Sequence, residues 1–537
     1  MSTTTKRLPP GVAGESTANR IAVAWAVLAL ARVEVVRLLR HPAVLLALAA
    51  MAALWVTPRL GGATWTRFPV LHEQDRATQD LALLPGLAAL VAGNLAVLRS
   101  RRDGTEELYG VLLLPRWART GAHLLALLPL ALLVGAAAAV HLAALAAAPG
   151  AVGQVNPWEV ATGPALVLLL GAVGVLIGRV VPSAVAASLA VVLLLLAFDV
   201  MTSPVFGLPG RPVEWLTLVV GERLGQEGLT PDLLARPAIW HVAYLTGLAL
   251  VVACGTLLRD RAPRIPLLAA LFAAALGTVT AGALQLRPVS EEVRAARVAA
   301  TERPSTRQTC ETAGTVTYCT FAGYGAWIRE WRPVVEAVRR LLPRGPAERP
   351  LVVRQRMVAT NPAPEDGNSL AVPPPPLAAW RADDRAAGTP GAVAAGTAWG
   401  SGRNAFGLAG LVAHRATGAT DADDVLCGGR AIVLLWLAAR ATPETATGFV
   451  EAMRASGGDV FFETAPYGPS VHVTERDVAV VQALLRLPTE RVGDEIRADW
   501  DALTAAKVPT AKVAARFGLS APPQPPKAER TVGTEGC

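Results

Sequence analysis

Residues 99–120 read RSRRDGTEELYGVLLLPRWART and form an arginine-rich interruption between two long apolar stretches. The apolar stretch before it covers residues 81–98, and the one after it covers residues 121–148. Each is long enough to cross a bilayer, because a spanning helix needs about 17–25 mostly apolar residues. The charged stretch therefore predicts a loop at a membrane surface.

Further apolar segments of this kind occur elsewhere before residue 287. The complete set covers residues 41–57, 81–98, 121–148, 163–181, 183–201, 238–258 and 265–286. Pro182 separates the fourth segment from the fifth, which favours a tight hairpin between them. We therefore predict an α-helical polytopic membrane protein with about six or seven transmembrane helices, followed by a mixed α/β soluble domain.

Composition divides the chain into four parts. Residues 1–40 are predicted to form a cytoplasmic tail and an interfacial amphipathic helix, and residues 41–287 the transmembrane domain. Residues 288–521 are predicted to form an extracytoplasmic α/β domain, and residues 522–537 a disordered, proline-rich tail. Basic amphipathic helices such as residues 20–40 commonly lie flat on a membrane. A frayed start of the first span is the alternative for this segment.

The arginine distribution predicts the orientation of the spans. With the N-terminus inside, the outer loops hold only Arg59, Arg67, Arg76, Arg211, Arg223 and Arg236, whereas residues 99–120 alone contribute five arginines. Lys and Arg concentrate on cytoplasmic loops of membrane proteins. We therefore expect a multi-pass protein of the cell membrane with a cytoplasmic N-terminus. Seven spans would then place the residues after about 287 outside the cell, whereas one span fewer would place them in the cytoplasm.

The second half of the chain shows the patterns of a folded domain. Cys310 and Cys319 flank the alternating stretch CETAGTVTYC, which predicts a β-hairpin turning at Gly314. A disulfide between these two cysteines is expected if the domain lies outside, and two unpaired thiols are the alternative. The spacing of apolar residues predicts a helix over residues 324–342. The apolar run within residues 424–441 is too short to span a membrane and predicts a buried helix.

Motifs of common enzymes are missing from the sequence. It contains no GxxxxGK[ST] phosphate-binding loop, no HExxH, no GxSxG and no CxxC, and its seven histidines are scattered. We therefore expect no catalytic residue, no metal site and no cofactor held by this chain, although a membrane enzyme with an unrecognised site stays open. Residues 509–520 resemble the start of a helix-turn-helix unit, but the following APPQPPKAER cannot form a recognition helix. No nucleic-acid partner is expected.

Polar residues within the predicted spans are candidate functional positions, because polar groups are expensive in lipid. The notable ones are Asn94, His141, Asp199 and Gln285. Interhelical hydrogen bonding or exposure at a span end is the alternative for each of them. Gly174 and Gly178 form a GxxxG pair that permits close helix packing and so favours a bundle.

The first half resembles a permease subunit of the type 2 ABC exporter family. The resemblance lies in three features: the basic surface helix at residues 20–40, the stretch RRDGTEELYGVLLLPRWART after the second span, and the tight hairpin of the fourth and fifth spans. In that family the loop after the second span docks on a separate ATPase. The residues that match this coupling segment are Glu106, Glu107, Leu108, Tyr109, Leu114, Pro115, Arg116 and Arg119.

The resemblance implies an exporter that is driven by a partner. An ABC ATPase subunit would bind ATP and Mg²⁺, and a second permease chain, identical or paralogous, would complete the transporter in the lipid bilayer. A seventh span and the large C-terminal half depart from the family pattern. The C-terminal half is similar to domains appended to some actinobacterial permeases, a similarity that implies no activity.

Two other readings of the sequence stay open. One is a membrane-anchored extracytoplasmic binding or sensor protein without transport activity. The other is a membrane enzyme, which would need a cluster of residues such as Asp421, Asp423, Asp424, His414 and His472 in one pocket.

Overall fold

The computed structural model describes residues 12–61, 64–104, 114–202, 215–219, 228–359, 376–418, 425–455, 460–462, 471–505 and 507–523. The first half of the chain is built from helices. They are α1 (Val12–Leu39), α2 (Pro42–Leu60), α3 (Thr64–Arg67), α4 (Leu71–Arg102), α5 (Arg116–Leu125), α6 (Leu127–Ala146), α7 (Pro157–Val180), α8 (Ala184–Thr202), α9 (Pro231–Leu234), α10 (Ala238–Arg259) and α11 (Arg264–Gln285).

Six helical stretches in the described part of the chain are long and apolar enough to cross a membrane. They are Pro42–Leu60, Leu71–Ser100, Arg116–Ala146, Pro157–Val180, Ala238–Arg259 and Arg264–Gln285. Helix α8, with 19 residues, is also apolar, and Ala184–Ala197 is the part recognised as a shorter apolar helix. The prediction of a polytopic helical membrane protein is confirmed.

Two helices begin before their predicted positions. Helix α4 starts at Leu71 instead of residue 81, and α1 starts at Val12 instead of residue 20. The prediction for α4 followed the apolar run and so left out the polar turns LHEQDRATQD. Asp75 and Gln79 in these turns are buried. The helix therefore extends as a polar segment that packs inside the protein.

Helices α4 and α7 form the closest pair in the bundle. A Cβ atom on Gly174 would lie 2.1 Å from the carbonyl oxygen of Leu90, and one on Gly93 would lie 3.0 Å from that of Gly171. Only glycine permits such backbone contact. The close packing expected from the glycine pattern is confirmed, and the two helices meet along a continuous seam.

The loops of the bundle divide between two ends. At one end the backbone N–H of Gly153 donates to the carbonyl of Gly323 at 3.2 Å, which joins the α6–α7 loop to the C-terminal domain. We call this end the domain face. At the other end Arg179 Nε lies 3.1 Å from Asp260 Oδ2, which joins the ends of α7 and α10. We call this end, where α4 leads towards α5, the basal face.

The C-terminal half is a mixed α/β domain. Its elements are α12 (Glu291–Glu302), β1 (Gln308–Ala313), β2 (Val316–Phe321), α13 (Ile328–Leu341), α14 (Arg344–Glu348), β3 (Leu351–Gln355), α15 (Leu377–Ala386), β4 (Val393–Ala395), α16 (Gly402–Ala416), β5 (Val425–Leu426), α17 (Gly429–Arg440), α18 (Pro443–Ala455), β6 (Val460–Phe462), β7 (Val471–Val473), α19 (Glu475–Leu484), α20 (Thr489–Ala498), α21 (Trp500–Thr504) and α22 (Thr510–Arg516). One sheet has the order β1-β2-β3-β4, with β2, β3 and β4 parallel, and a smaller sheet has the order β5-β7-β6.

The predicted hairpin is present and is closed by a disulfide. Strands β1 and β2 pair antiparallel with Cys310 directly opposite Cys319, and the two cysteines are bonded to each other. Gly314 has a φ of +63° in the turn, a conformation that glycine adopts at little cost. Both the hairpin and the disulfide are confirmed.

The domain core is centred on two helices that the sequence predicted. The buried face of α13 carries Trp331, Val335 and Val338, in agreement with the predicted helix over residues 324–342. Helix α17 is buried along nearly its whole length, in agreement with the buried helix predicted within residues 424–441. Residues 388–410 include β4 and the start of α16.

The same core takes in side chains from the membrane region. Val70, Val152, Leu229, Leu233 and Leu234 belong to the hydrophobic cluster that also contains the core of α13 and α17. These residues come from segments that connect membrane helices in the sequence, and they lie at the domain face. The domain and the loops beneath it therefore share one apolar interior.

Candidate functional site at the basal face

The two ends of the predicted coupling segment lie at the basal face, and residues 105–113 between them lie outside the described residues. Glu106, Glu107, Leu108 and Tyr109 lie outside the described residues. Helix α4 ends at Arg102, and the chain is described again from Leu114. Pro115 precedes α5 with extended backbone angles, and Arg116 is the first residue of that helix. The ends of the segment are thus fixed by two membrane helices.

A buried carboxylate holds the end of α4 that leads into this segment. Glu34, on α1, is 5 % exposed. Arg99 Nη1 lies 3.1 Å and 3.2 Å from its two carboxylate oxygens, and Arg37 Nη1 donates to Oε1 at 2.8 Å. His123 Nδ1 lies 3.7 Å from Oε2. One carboxylate therefore joins α1 to α4 and lies against α5, and the two arginines offset the cost of burying it.

A second carboxylate holds the other side of the segment. Asp260 lies in the turn after α10, where it accepts a hydrogen bond from the Thr120 hydroxyl of α5 and pairs with Arg179 at the end of α7. The neighbouring Arg261 has a φ of +63°, so the turn that presents Asp260 is tight. Asp260 therefore joins α5 to the ends of α7 and α10.

Neither carboxylate was among the predicted site residues. The signal available in the sequence was a single acid inside a basic stretch, RVEVVR for Glu34 and RDRAPR for Asp260. An isolated acid among arginines at a membrane surface gains counter-charges readily. Which arginine it pairs with depends on tertiary packing, which the local sequence does not contain.

The predicted intramembrane polar residues do not form a common site. Asn94 Nδ2 donates to the carbonyl of Ser183 at 3.3 Å, and Gln285 Oε1 lies 3.2 Å from Nδ1 of His241. His141 stacks on an indole ring of α2 and its carbonyl accepts from Arg59 at 3.0 Å. Asp199 is exposed on α8. Asn94, His141 and Gln285 thus bond three different parts of the bundle.

A buried polar cluster at the domain face was missed by the sequence reading. Its members are the side chains of His72, Asp75, Arg76, Gln79, Glu159 and Arg236, all nearly excluded from solvent. Gln79 Nε2 donates to a carboxylate oxygen of Glu159, and Arg236 Nη1 lies 3.8 Å from Asp75 Oδ1. The prediction placed residues 71–80 ahead of the second span, so it did not test them as interior groups.

A third group of buried charges lies in the C-terminal domain. Arg356 Nη2 donates to Asp384 Oδ2 at 2.7 Å, and Arg354 Nε lies 3.1 Å from Asp384 Oδ1. Asp383 adds a second acid 3.7 Å from Arg356. Burial raises the pKa of Asp384 above its usual range, although both arginines act in the opposite direction. The charges balance, so the network serves to hold α15 against β3.

The structure describes only two of the five residues named for the enzyme hypothesis. His414 lies on α16 and His472 on β7, both buried, while Asp421, Asp423 and Asp424 lie outside the described residues. Among the residues that the structure describes, no group of three or more His, Cys, Asp or Glu could hold a metal ion. The enzyme hypothesis therefore stays a prediction.

Comparison of the chain with protein-family models, with curated proteins and with solved structures finds no match, so similarity assigns it to no family.

Proposed function

We propose that the chain is the membrane-spanning permease subunit of an ATP-driven exporter, and that a separate ABC ATPase docks on the basal face. The spanning helices supply the membrane domain that such a subunit needs. The sequence contains no phosphate-binding loop of its own, so the energy would come from the partner, which would bind ATP and Mg²⁺. A second permease chain would complete the transporter.

The observation that carries this proposal is the anchoring of both ends of the predicted coupling segment. On the α4 side Arg99 is held by Glu34, and on the α5 side Thr120 is held by Asp260. A displacement of this segment would therefore act on α1, α4, α5 and α7 together. A docking loop that transmits force needs such firm attachment to the helices that it moves.

The proposed orientation places the basal face in the cytoplasm. Arginine is concentrated there, as is usual for cytoplasmic loops. The disulfide between Cys310 and Cys319 is of the kind that persists in an oxidising compartment, which supports an extracytoplasmic C-terminal domain. The protein would then lie in the cell membrane with its N-terminus inside.

Orientation can be tested with a membrane-impermeant maleimide on intact cells after mild reduction. Labelling of Cys310, which is exposed, is expected before lysis. Cys254, which is buried in α10, serves as the unlabelled control. Labelling of Cys310 only after lysis would reverse the orientation.

Partner docking can be tested by charge reversal in the coupling segment. The tagged chain purified from native membranes should retain an ABC ATPase, identified by mass spectrometry through its phosphate-binding-loop peptide. Glu106→Lys combined with Glu107→Lys should remove that ATPase, because the two acids are expected to pair with basic residues of the partner.

The matched control is Glu291→Lys combined with Glu292→Lys, which reverses two adjacent exposed acids at the start of α12. This control should leave the ATPase bound. Equal ATPase recovery from the control, the coupling variant and the parent chain would reject the docking site. Absence of an ATPase from the parent chain itself would favour a membrane-anchored binding or sensor protein.

A further inference from the structure

The first turns of α4 hold the loops of the domain face together. Glu73 Oε1 accepts from the backbone N–H of Gly228 at 3.0 Å, and Asp75 Oδ2 accepts from that of Asn156 at 2.7 Å. Gln79 Nε2 also lies 3.3 Å from the carbonyl of Glu159. One helix end therefore bonds the loop before α9, the α6–α7 loop and the first turn of α7. Movement of α4 must move these segments or break the bonds.

The C-terminal domain rests directly on the same segments. Trp327 Nε1 donates to the carbonyl of Gly150 at 2.9 Å, and Arg329 Nη2 donates to that of Pro149 at 2.8 Å. The ring of Tyr324 meets the ring of His72 edge-on, with 6.4 Å between centroids. The domain thus contacts both the α6–α7 loop and α4 itself. It is docked on the bundle by directional bonds as well as by the linker that leads into it.

The other end of α4 lies at the basal face. The helix has 32 residues, and at about 1.5 Å per residue it is about 48 Å long. Along this length α4 packs against α7 with close backbone contacts at Gly93 and Gly174. These contacts leave the two helices little room to slide against each other. At the basal face Arg99 of α4 is bound by Glu34, and Arg179 of α7 is bound by Asp260.

We propose that the α4–α7 pair couples the basal face mechanically to the C-terminal domain, so that a displacement at Glu34 and Arg99 changes the contact between the domain and the α6–α7 loop. The C-terminal domain then moves in response to displacements at the basal face. The assignment of the driving force to an ATPase rests on the proposed function. The coupling itself is a property of this chain and can be measured without a partner.

The test is hydrogen exchange followed by mass spectrometry on the full-length protein in lipid nanodiscs. Glu34→Gln removes the buried charge, and Arg99→Gln, a second variant, removes its partner on α4. Each should raise exchange in peptides covering residues 149–156 about five-fold or more, the smaller end of typical coupling between sites. Arg32 is an exposed arginine on α1, the helix that carries Glu34, and Arg32→Gln should leave exchange in those peptides unchanged.

Coupling between two sites is reciprocal, so the opposite experiment has a defined result. Trp327→Phe removes the indole hydrogen bond at the domain face together with part of a buried ring. It should raise exchange at the amides of Arg40 and His41, which close the end of α1. Peptides covering Gly429–Arg440 should not change in any variant, because α17 lies in the domain core.

Unchanged exchange over residues 149–156 in both Glu34→Gln and Arg99→Gln would overturn the proposal. A rise that includes Gly429–Arg440 would also overturn it, since that pattern reports general destabilisation. If the coupling is found but the chain retains no ATPase from native membranes, the proposed function fails and the mechanical inference stands.

Discussion

Arg99 and Glu34 are 65 positions apart in the sequence, and their contact joins α4 to α1. Arg99 Nη1 lies 3.1 Å and 3.2 Å from the two carboxylate oxygens of Glu34. Arg37 and His123 surround the same carboxylate. The acid is nearly fully buried whereas Arg99 keeps about a third of its side chain exposed (35 %). The cluster therefore depends on Glu34 more than on any single partner.

Replacement of Glu34 by Gln should lower the free energy of unfolding by about 1–2 kcal/mol. The loss is smaller than for a fully enclosed ion pair, because water still reaches both arginines. Thermal unfolding of the purified protein in one detergent would measure it. Asp103→Asn, which changes an exposed acid beyond the end of α4, should have little effect. Equal shifts for the two variants would argue against a special role of Glu34.

Replacement of Gly174 by Ala should destabilise the bundle strongly. The added Cβ would meet the carbonyl oxygen of Leu90 at 2.1 Å, so the α4 and α7 backbones must separate. Overpacking of this kind costs about 1–3 kcal/mol or more. Gly277→Ala is the matched control on α11, because a Cβ there meets nothing within 4 Å. That variant should be neutral or slightly stabilising in the same thermal assay, and a comparable loss in both would contradict the observed seam.

Removal of the disulfide should destabilise the C-terminal domain. Cys310 and Cys319 are separated by nine positions, and closing a loop of this size is worth about 2–3 kcal/mol in the chain-entropy treatment. The double variant Cys310→Ser and Cys319→Ser should therefore unfold at lower urea concentration, followed by tryptophan fluorescence. Cys254→Ala removes the free thiol in α10 and should leave the midpoint unchanged. An unchanged midpoint for the double variant would mean that the hairpin holds without the bond.

Tyr318 should make the domain sensitive to alkaline pH. Burial raises the pKa of its phenol to about 12. An unfolded tyrosine ionises near pH 10, so between about pH 10 and pH 12 only the unfolded state releases the proton. The free energy of unfolding should therefore fall as the pH rises through this window, and it should fall less in Tyr318→Phe.

The same variant has a defined result at neutral pH. Tyr318 is 1 % exposed, and its hydroxyl has no hydrogen-bond partner among the described residues. Removing a buried, unsatisfied hydroxyl is expected to be neutral or stabilising. Urea unfolding at pH 7 and at pH 11 would separate the two effects. A large loss at pH 7 would show that the hydroxyl is bonded.

The features that the sequence predicted are those that depend on neighbouring residues. Apolar length identified the spans, because lipid requires apolar side chains whatever the helices pack against. The hairpin followed from local alternation and Gly314, and the pairing of Cys310 with Cys319 followed from their places in it. The glycines of α7 predicted close packing, but they did not say that α4 was the partner.

The features that the sequence missed depend on distant residues. Asp75 and Glu159 are ordinary acids in the sequence, and only the fold brings α4 and the start of α7 together around them. Glu34 likewise finds Arg99 through tertiary packing. Helix α4 was shortened because hydropathy marks where lipid begins and does not mark where a helix begins. The ATPase partner stays a prediction, because residues 105–113 of the coupling segment lie outside the described residues.

The shared apolar interior changes what counts as a unit of this protein. Leu229, Leu233 and Leu234 come from the segment between α8 and α10, yet they complete the core that contains Trp331. A fragment that begins near residue 288 would lack these three leucines, and the core that contains Trp331 would be exposed to water. The core of the domain is therefore complete only when the segment between α8 and α10 is in place beneath it.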